Sequence, residues 1–62
     1  MSELTPRIGK VATRELAVNG ITTYRALAER PEREILAIHG IGPKTIRILT
    51  EELAARRLRF AD

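Results

Sequence analysis

Two glycines one residue apart, Gly40 and Gly42, interrupt an apolar stretch and are followed by a proline, Lys44 and Thr45. Glycine reaches backbone angles that side chains forbid, so this spacing predicts a tight turn between two helices. The first turn of the second helix would expose unpaired N–H groups at the positive end of the helix dipole, an arrangement that binds phosphate. Lys44 and Thr45 would add an ammonium and a hydroxyl, while Ile41 would anchor the turn in the core.

A plain bend between two helices is the alternative interpretation of the same glycines. Glycine-x-glycine alone does not separate the two interpretations. The apolar residues before it and the Pro-Lys-Thr sequence after it favour phosphate contact.

A weak internal repeat relates this turn to the start of the chain. Placing Ile41-Gly42 on Ile8-Gly9 also places Arg47 on Arg14. We therefore predict a single domain over residues 1–62. It would contain two helix–turn–helix units, at about 6–28 and 31–57, related by a pseudo-twofold axis.

Basic residues surround both predicted turns. Arg7, Lys10 and Arg14 flank the first turn, and Lys44 and Arg47 flank the second. If the pseudo-twofold relation holds, these five cations share one face, although the net charge is only +3. Contact with about four or five phosphates would give a log K against log salt slope of roughly −4. We expect weak, salt-sensitive binding to a polyanion.

The elements that must position these residues are all helical. Ala, Leu, Arg and Glu dominate, aromatic residues make up 3% of the chain, and no alternating apolar pattern indicates a strand. We predict a compact all-α domain of four to five helices. The first helix runs from about Lys10 to Val18, a short second helix ends before Pro31, a short third helix begins there, and the fourth runs from Pro43 to about Arg56. Thr22 or Thr23 would cap the second helix and Pro31 would lie in the first turn of the third. The residues predicted to face the core of the later helices and tail are Ile35, Leu36, Ile38, Ile46, Leu49, Leu53, Leu58 and Phe60.

Several functional classes have no support in the composition. The chain has no cysteine and a single histidine, so no thiolate or multi-histidine metal site is expected. No apolar run approaches a membrane span, and the N-terminus lacks a signal-peptide core, so we expect a soluble cytoplasmic protein. No carboxylate accompanies the turn, and 62 residues cannot enclose a pocket for a flipped base. We expect no catalysis, cofactor or metal.

The stretch "ILAIHGIGPKTIRIL" resembles the helix-hairpin-helix motif. From residue 9 to residue 60, including "GITTYRALAERPEREIL" and "EELAARRLRF", the chain is similar to the C-terminal domain of the bacterial RNA polymerase α subunit. The resemblance implies a SAM-like fold of two helix-hairpin-helix units that binds duplex DNA at the phosphate backbone and minor groove in transcription. Gly42, Lys44 and Thr45 match the family's phosphate-contacting positions. Its groove-reading arginine falls on Val11 and a nearby asparagine on Arg14.

Both turns together define the predicted DNA contacts. Lys10 and Arg14 lie one helical turn apart and could substitute for the missing arginine. The predicted DNA-binding residues are Arg7, Gly9, Lys10, Arg14, Gly40, Ile41, Gly42, Lys44, Thr45 and Arg47.

A protein-interaction module of the same fold is the alternative function. Ile48 lies off the apolar stripe of the last helix, so it either packs in the core or forms an exposed apolar spot for a partner. The arginines that end the last helix could also bind a partner. This cluster comprises Arg56, Arg57 and Arg59.

Overall fold

The computed structural model describes residues 3–61, which form four α-helices and no β-strand. The ends of the predicted domain, residues 1, 2 and 62, lie outside the described residues. Over the described range the all-α prediction is confirmed, and the extents of 25 × 22 × 20 Å make the chain compact. A short 3₁₀ helix, Pro6–Ile8, precedes the four α-helices. These are α1 (Gly9–Val18), α2 (Tyr24–Ala28), α3 (Glu32–Leu36) and α4 (Pro43–Ala55).

The helices begin at residues whose chemistry suits a helix start. Thr23, rather than Thr22, caps α2, and its hydroxyl accepts a 3.0 Å hydrogen bond from the amide of Ala26. Pro31 is extended, with φ −71° and ψ 150°, so α3 begins one residue later than predicted, at Glu32. Pro31 is therefore the N-cap of α3 and not part of its first turn.

The two longest helices end in the same hydrogen-bonded motif. After α1, Gly20 has φ 78°, and the N–H of Ile21 donates to the carbonyl of Leu16 at 2.8 Å. After α4, Arg57 has φ 59°, and the following residue donates a matching 2.8 Å bond back into the helix. Both ends are Schellman motifs, in which glycine normally occupies the left-handed position. Arg57 adopts that conformation without being glycine.

The core is made by one face of each helix and by the tail. Phe60 is buried, and the N–H of Ala61 donates to the carbonyl of Arg30 at 3.0 Å, so the prediction that Phe60 faces the core is confirmed. Leu36 was predicted to be apolar core but is 43% exposed. The buried residues are Leu4, Ile8, Ala12, Leu16, Ile21, Tyr24, Leu27, Ile35, Ile41, Ile46, Ile48, Leu49, Leu53 and Phe60.

The lengths and polarity of these helices bear on membrane insertion. Within residues 3–61, no helix is both long enough and apolar enough to cross a bilayer.

Candidate nucleic-acid interface

The turn between α3 and α4, here called the second turn (residues 40–42), has the predicted anchor. Gly40 has φ 88°, a left-handed angle that favours glycine. Ile41 is only 7% exposed, and its N–H donates to the carbonyl of Ile38 at 3.0 Å. The expectation that Ile41 points into the core is therefore confirmed.

The second turn leaves the start of α4 without a side-chain cap. Gly42 is the N-cap residue and offers no side chain to the first-turn amides. The first backbone bond into the helix runs from the N–H of Ile46 to the carbonyl of Gly42, at 3.1 Å. The amides of Lys44 and Thr45 precede that bond and have no acceptor within the helix. Their N–H groups, the helix dipole and the exposed Lys44 side chain together can bind an anion.

The two glycines of the second turn differ in whether the backbone angles and the packing require glycine. A Cβ on Gly40 would lie 3.0 Å from Cγ1 of Val11 and 3.3 Å from Cγ of Glu15, so the turn packs closely against α1. A Cβ on Gly42 would meet nothing within 4 Å. The Gly42 backbone is extended, with φ −115° and ψ 179°, which any residue adopts. The fold requires glycine at position 40 but not at position 42.

The first turn (residues 8–9) has a different backbone. Gly9 has φ 87° and ψ 167°, angles that are not helical, so regular α1 geometry follows it, as the predicted start near Lys10 implied. Its carbonyl accepts a 2.8 Å hydrogen bond from the Thr13 hydroxyl. The internal repeat pairs Gly9 with Gly42, yet the positive φ falls on Gly9 in the first turn and on Gly40 in the second. The two turns of the repeat therefore differ in their backbone angles.

A groove of about 300 Å³ runs along α1 from the first turn. Its small residues recur at every fourth position, and Lys10 and Arg14 stand on the same stretch of helix, one turn apart. The groove is lined by Pro6, Gly9, Lys10, Thr13, Arg14 and Ala17. The recurrence of Gly9, Thr13 and Ala17 is visible in the sequence.

The five cations predicted around the turns divide into two groups. Lys10, Lys44 and Arg47 are exposed and form no ion pair with any residue in the range 3–61. Arg14 is 70% exposed in its side chain and lies 3.8 Å from Glu15, a long contact that leaves it largely available. Arg7 instead forms ion pairs with two glutamates of α4.

Some of the residues predicted to bind a protein partner instead make contacts within the chain. Ile48 is 9% exposed, so it packs in the core and the alternative of an exposed apolar spot is wrong. Arg56 is exposed but lies over the ring of Tyr24 and pairs with Glu52, whereas Arg57 and Arg59 are exposed and form no ion pair with any described residue.

The described residues were also compared with the side-chain clusters that bind metal ions. The part of the chain that the structure describes contains no cluster of three or more histidine, cysteine or acidic side chains able to hold a metal ion.

Comparisons of the chain with models of known protein families, with curated proteins and with solved structures found no match.

Proposed function

We propose that the chain is a non-catalytic module that binds duplex DNA through two helix-hairpin-helix turns, in a SAM-like arrangement. The second turn binds a backbone phosphate through the amides that begin α4, together with Lys44 and Thr45. The first turn binds the same duplex through Lys10 and Arg14 at the minor groove. The sequence resemblance to the RNA polymerase α-subunit domain makes transcription the context we propose.

Gly42 is the observation that carries this proposal. Neither its backbone angles nor its surroundings within the described chain call for glycine. A serine, threonine or aspartate at this N-cap would accept a first-turn hydrogen bond and stabilise α4. The chain instead has a residue with no side chain, which leaves those amides uncovered and lets a partner's backbone approach closely. That choice favours an anion as the missing cap.

Packing of the second turn on α1 supports joint use of the two turns. The Gly40 position lies against Val11, which is only two residues beyond Gly9. Two residues of helix advance about 3 Å along its axis. Both turns are therefore close enough for one duplex to contact Lys10 and Lys44 together.

The aromatic residues favour a double-stranded partner over a single-stranded one. Single-strand binding proteins stack bases on exposed rings. Tyr24 is 2% exposed and Phe60 is 7% exposed, so neither ring can receive a base. The exposed cations can still contact a phosphate backbone, which is the sequence-independent part of duplex binding.

The substitution Gly42→Ser tests this proposal because it separates binding from stability. Serine at the N-cap should raise the free energy of unfolding by a few tenths of a kcal/mol, since its hydroxyl accepts an amide of the first turn. The same hydroxyl and Cβ would occupy the proposed phosphate position, so affinity for a short A·T-rich duplex should fall. Fluorescence anisotropy and urea unfolding measure the two quantities.

A matched control is Ala55→Ser, which introduces serine at the exposed far end of α4. It should leave duplex affinity unchanged. If Gly42→Ser bound the duplex as tightly as the wild type while remaining folded, the amides of α4 would not be the phosphate site.

A further inference from the structure

Arg7 joins the first turn to the C-terminal half of α4. It lies in the 3₁₀ helix immediately before the first turn. Its Nη1 donates to Oε2 of Glu52 at 3.2 Å, and its Nη2 donates to Oε1 of Glu51 at 3.5 Å. These partners are 45 and 44 residues away in the chain, so the contacts hold the N-terminal segment against α4.

The contacts of Arg7 continue into a closed network. The second carboxylate oxygen of Glu52, Oε1, accepts a 2.9 Å bond from Nη1 of Arg56. The Arg56 guanidinium carbon lies 3.9 Å from the centroid of the Tyr24 ring. The Tyr24 hydroxyl accepts a 2.8 Å bond from the amide of Thr5, two residues before Arg7, so the series of contacts returns to its start. We call this set the Arg7 network: Thr5, Arg7, Tyr24, Glu51, Glu52 and Arg56.

The charges of the network do not favour the binding of a phosphate to Arg7. Two arginines and two glutamates sum to zero, and both carboxylates lie directly against the Arg7 guanidinium. A phosphate that approached Arg7 would meet those carboxylates at close range, where like charges repel. Lys10 and Lys44 have no such acidic partner among the described residues.

We infer that Arg7 is a positioning residue that holds the first turn against α4 through the Arg7 network, and that it does not bind phosphate. This inference rests on the proposed function, because the first turn must be held beside the second for both to contact one duplex. It replaces the sequence-based assignment of Arg7 as a direct DNA contact.

The salt dependence of duplex binding separates a positioning role from phosphate contact. A lost phosphate contact lowers the slope of log K against log salt by about 0.9. A lost positioning residue weakens binding without changing the number of phosphates contacted. For Arg7→Gln we expect affinity for a short A·T-rich duplex to fall by about 1.4- to fivefold, the range that an exposed ion pair contributes, with the slope unchanged.

A second readout needs no DNA. Amide chemical shifts of the free chain should change at Gly9 and Lys10 in Arg7→Gln. The double variant Glu51→Gln/Glu52→Gln should change the same two amides, although its substitutions lie in α4. Arg33→Gln, which removes an exposed α3 cation without an ion pair among residues 3–61, should change neither.

Two results would overturn the inference. One is a slope reduced by about 0.9 in Arg7→Gln, which would make Arg7 a phosphate contact. The other is a pair of first-turn amides that do not respond to the double variant. Absence of duplex binding by the wild-type chain would instead refute the proposed function, and the amide shifts would still decide whether the Arg7 network positions the first turn.

Discussion

Replacing Lys44 with glutamine should lower the salt dependence of duplex binding by a defined amount. Four exposed cations that are available to a duplex surround the turns: Lys10, Arg14, Lys44 and Arg47. At about 0.9 per phosphate, they give a slope of log K against log salt of roughly −3.6, slightly less steep than the −4 expected from the sequence. Lys44→Gln should reduce it to about −2.7.

These slopes translate into measurable affinities. Between 50 and 200 mM salt, affinity of the wild type for a short A·T-rich duplex should fall by about 150-fold, and that of Lys44→Gln by about 40-fold. Fluorescence anisotropy measured at about four salt concentrations within this range gives both slopes. Unfolding is not a competing explanation, because removing a cation from the positive end of a helix is slightly stabilising.

The matched control for this prediction is Arg59→Gln. It removes the same charge from an exposed residue that lines a groove with Leu53 and Phe60, toward the other end of α4. Its slope should equal that of the wild type. Equal slopes in Lys44→Gln and the wild type, or an equal loss in Arg59→Gln, would refute the assignment of Lys44 to the phosphate site.

Three further predictions concern stability, and for a domain of this size each 1 kcal/mol should move the Tm by about 4–8 °C. Arg57→Gly should raise stability by about 0.5–1 kcal/mol, because it relieves a left-handed residue with φ 59°; an unchanged or lower Tm would contradict this. Gly40→Ala should cost more than Gly20→Ala, since both have positive φ but only the Gly40 Cβ would lie 3.0 Å from Val11 Cγ1; equal losses would show that the contact is harmless. Thr23→Ala should cost about 1 kcal/mol through loss of the α2 cap, and urea unfolding that shows no loss would argue against the cap.

Much of the helical architecture could be predicted from local sequence. Gly20 and Pro43 mark a helix end and a helix start by their own backbone preferences, so those boundaries needed no knowledge of the rest of the fold. The second turn could be predicted equally well from the sequence, since glycine spacing and an apolar anchor are local features. Ile41 lies buried between its glycines, as that pattern predicts.

The parts that could not be predicted depend on contacts between distant residues. Ile48 falls off the apolar stripe of its own helix, and only the packing of other elements buries it. Arg7 reads as a free cation in the sequence because its acidic partners lie in α4, more than 40 residues away. Leu36 fits the spacing of apolar residues in a helix, but it is the last residue of α3 and lies at the surface. Arg57 gives no local signal of a left-handed conformation, since glycine usually holds that position.

An amide chemical-shift titration of the chain with a short A·T-rich duplex tests the central claim most directly. The proposed function predicts shifts confined to residues 8–14 and 40–47, the two turns and the starts of α1 and α4, with Lys44 and Thr45 among the largest. Shifts centred on α2, α3 or residues 56–60, or no shifts at all, would contradict it.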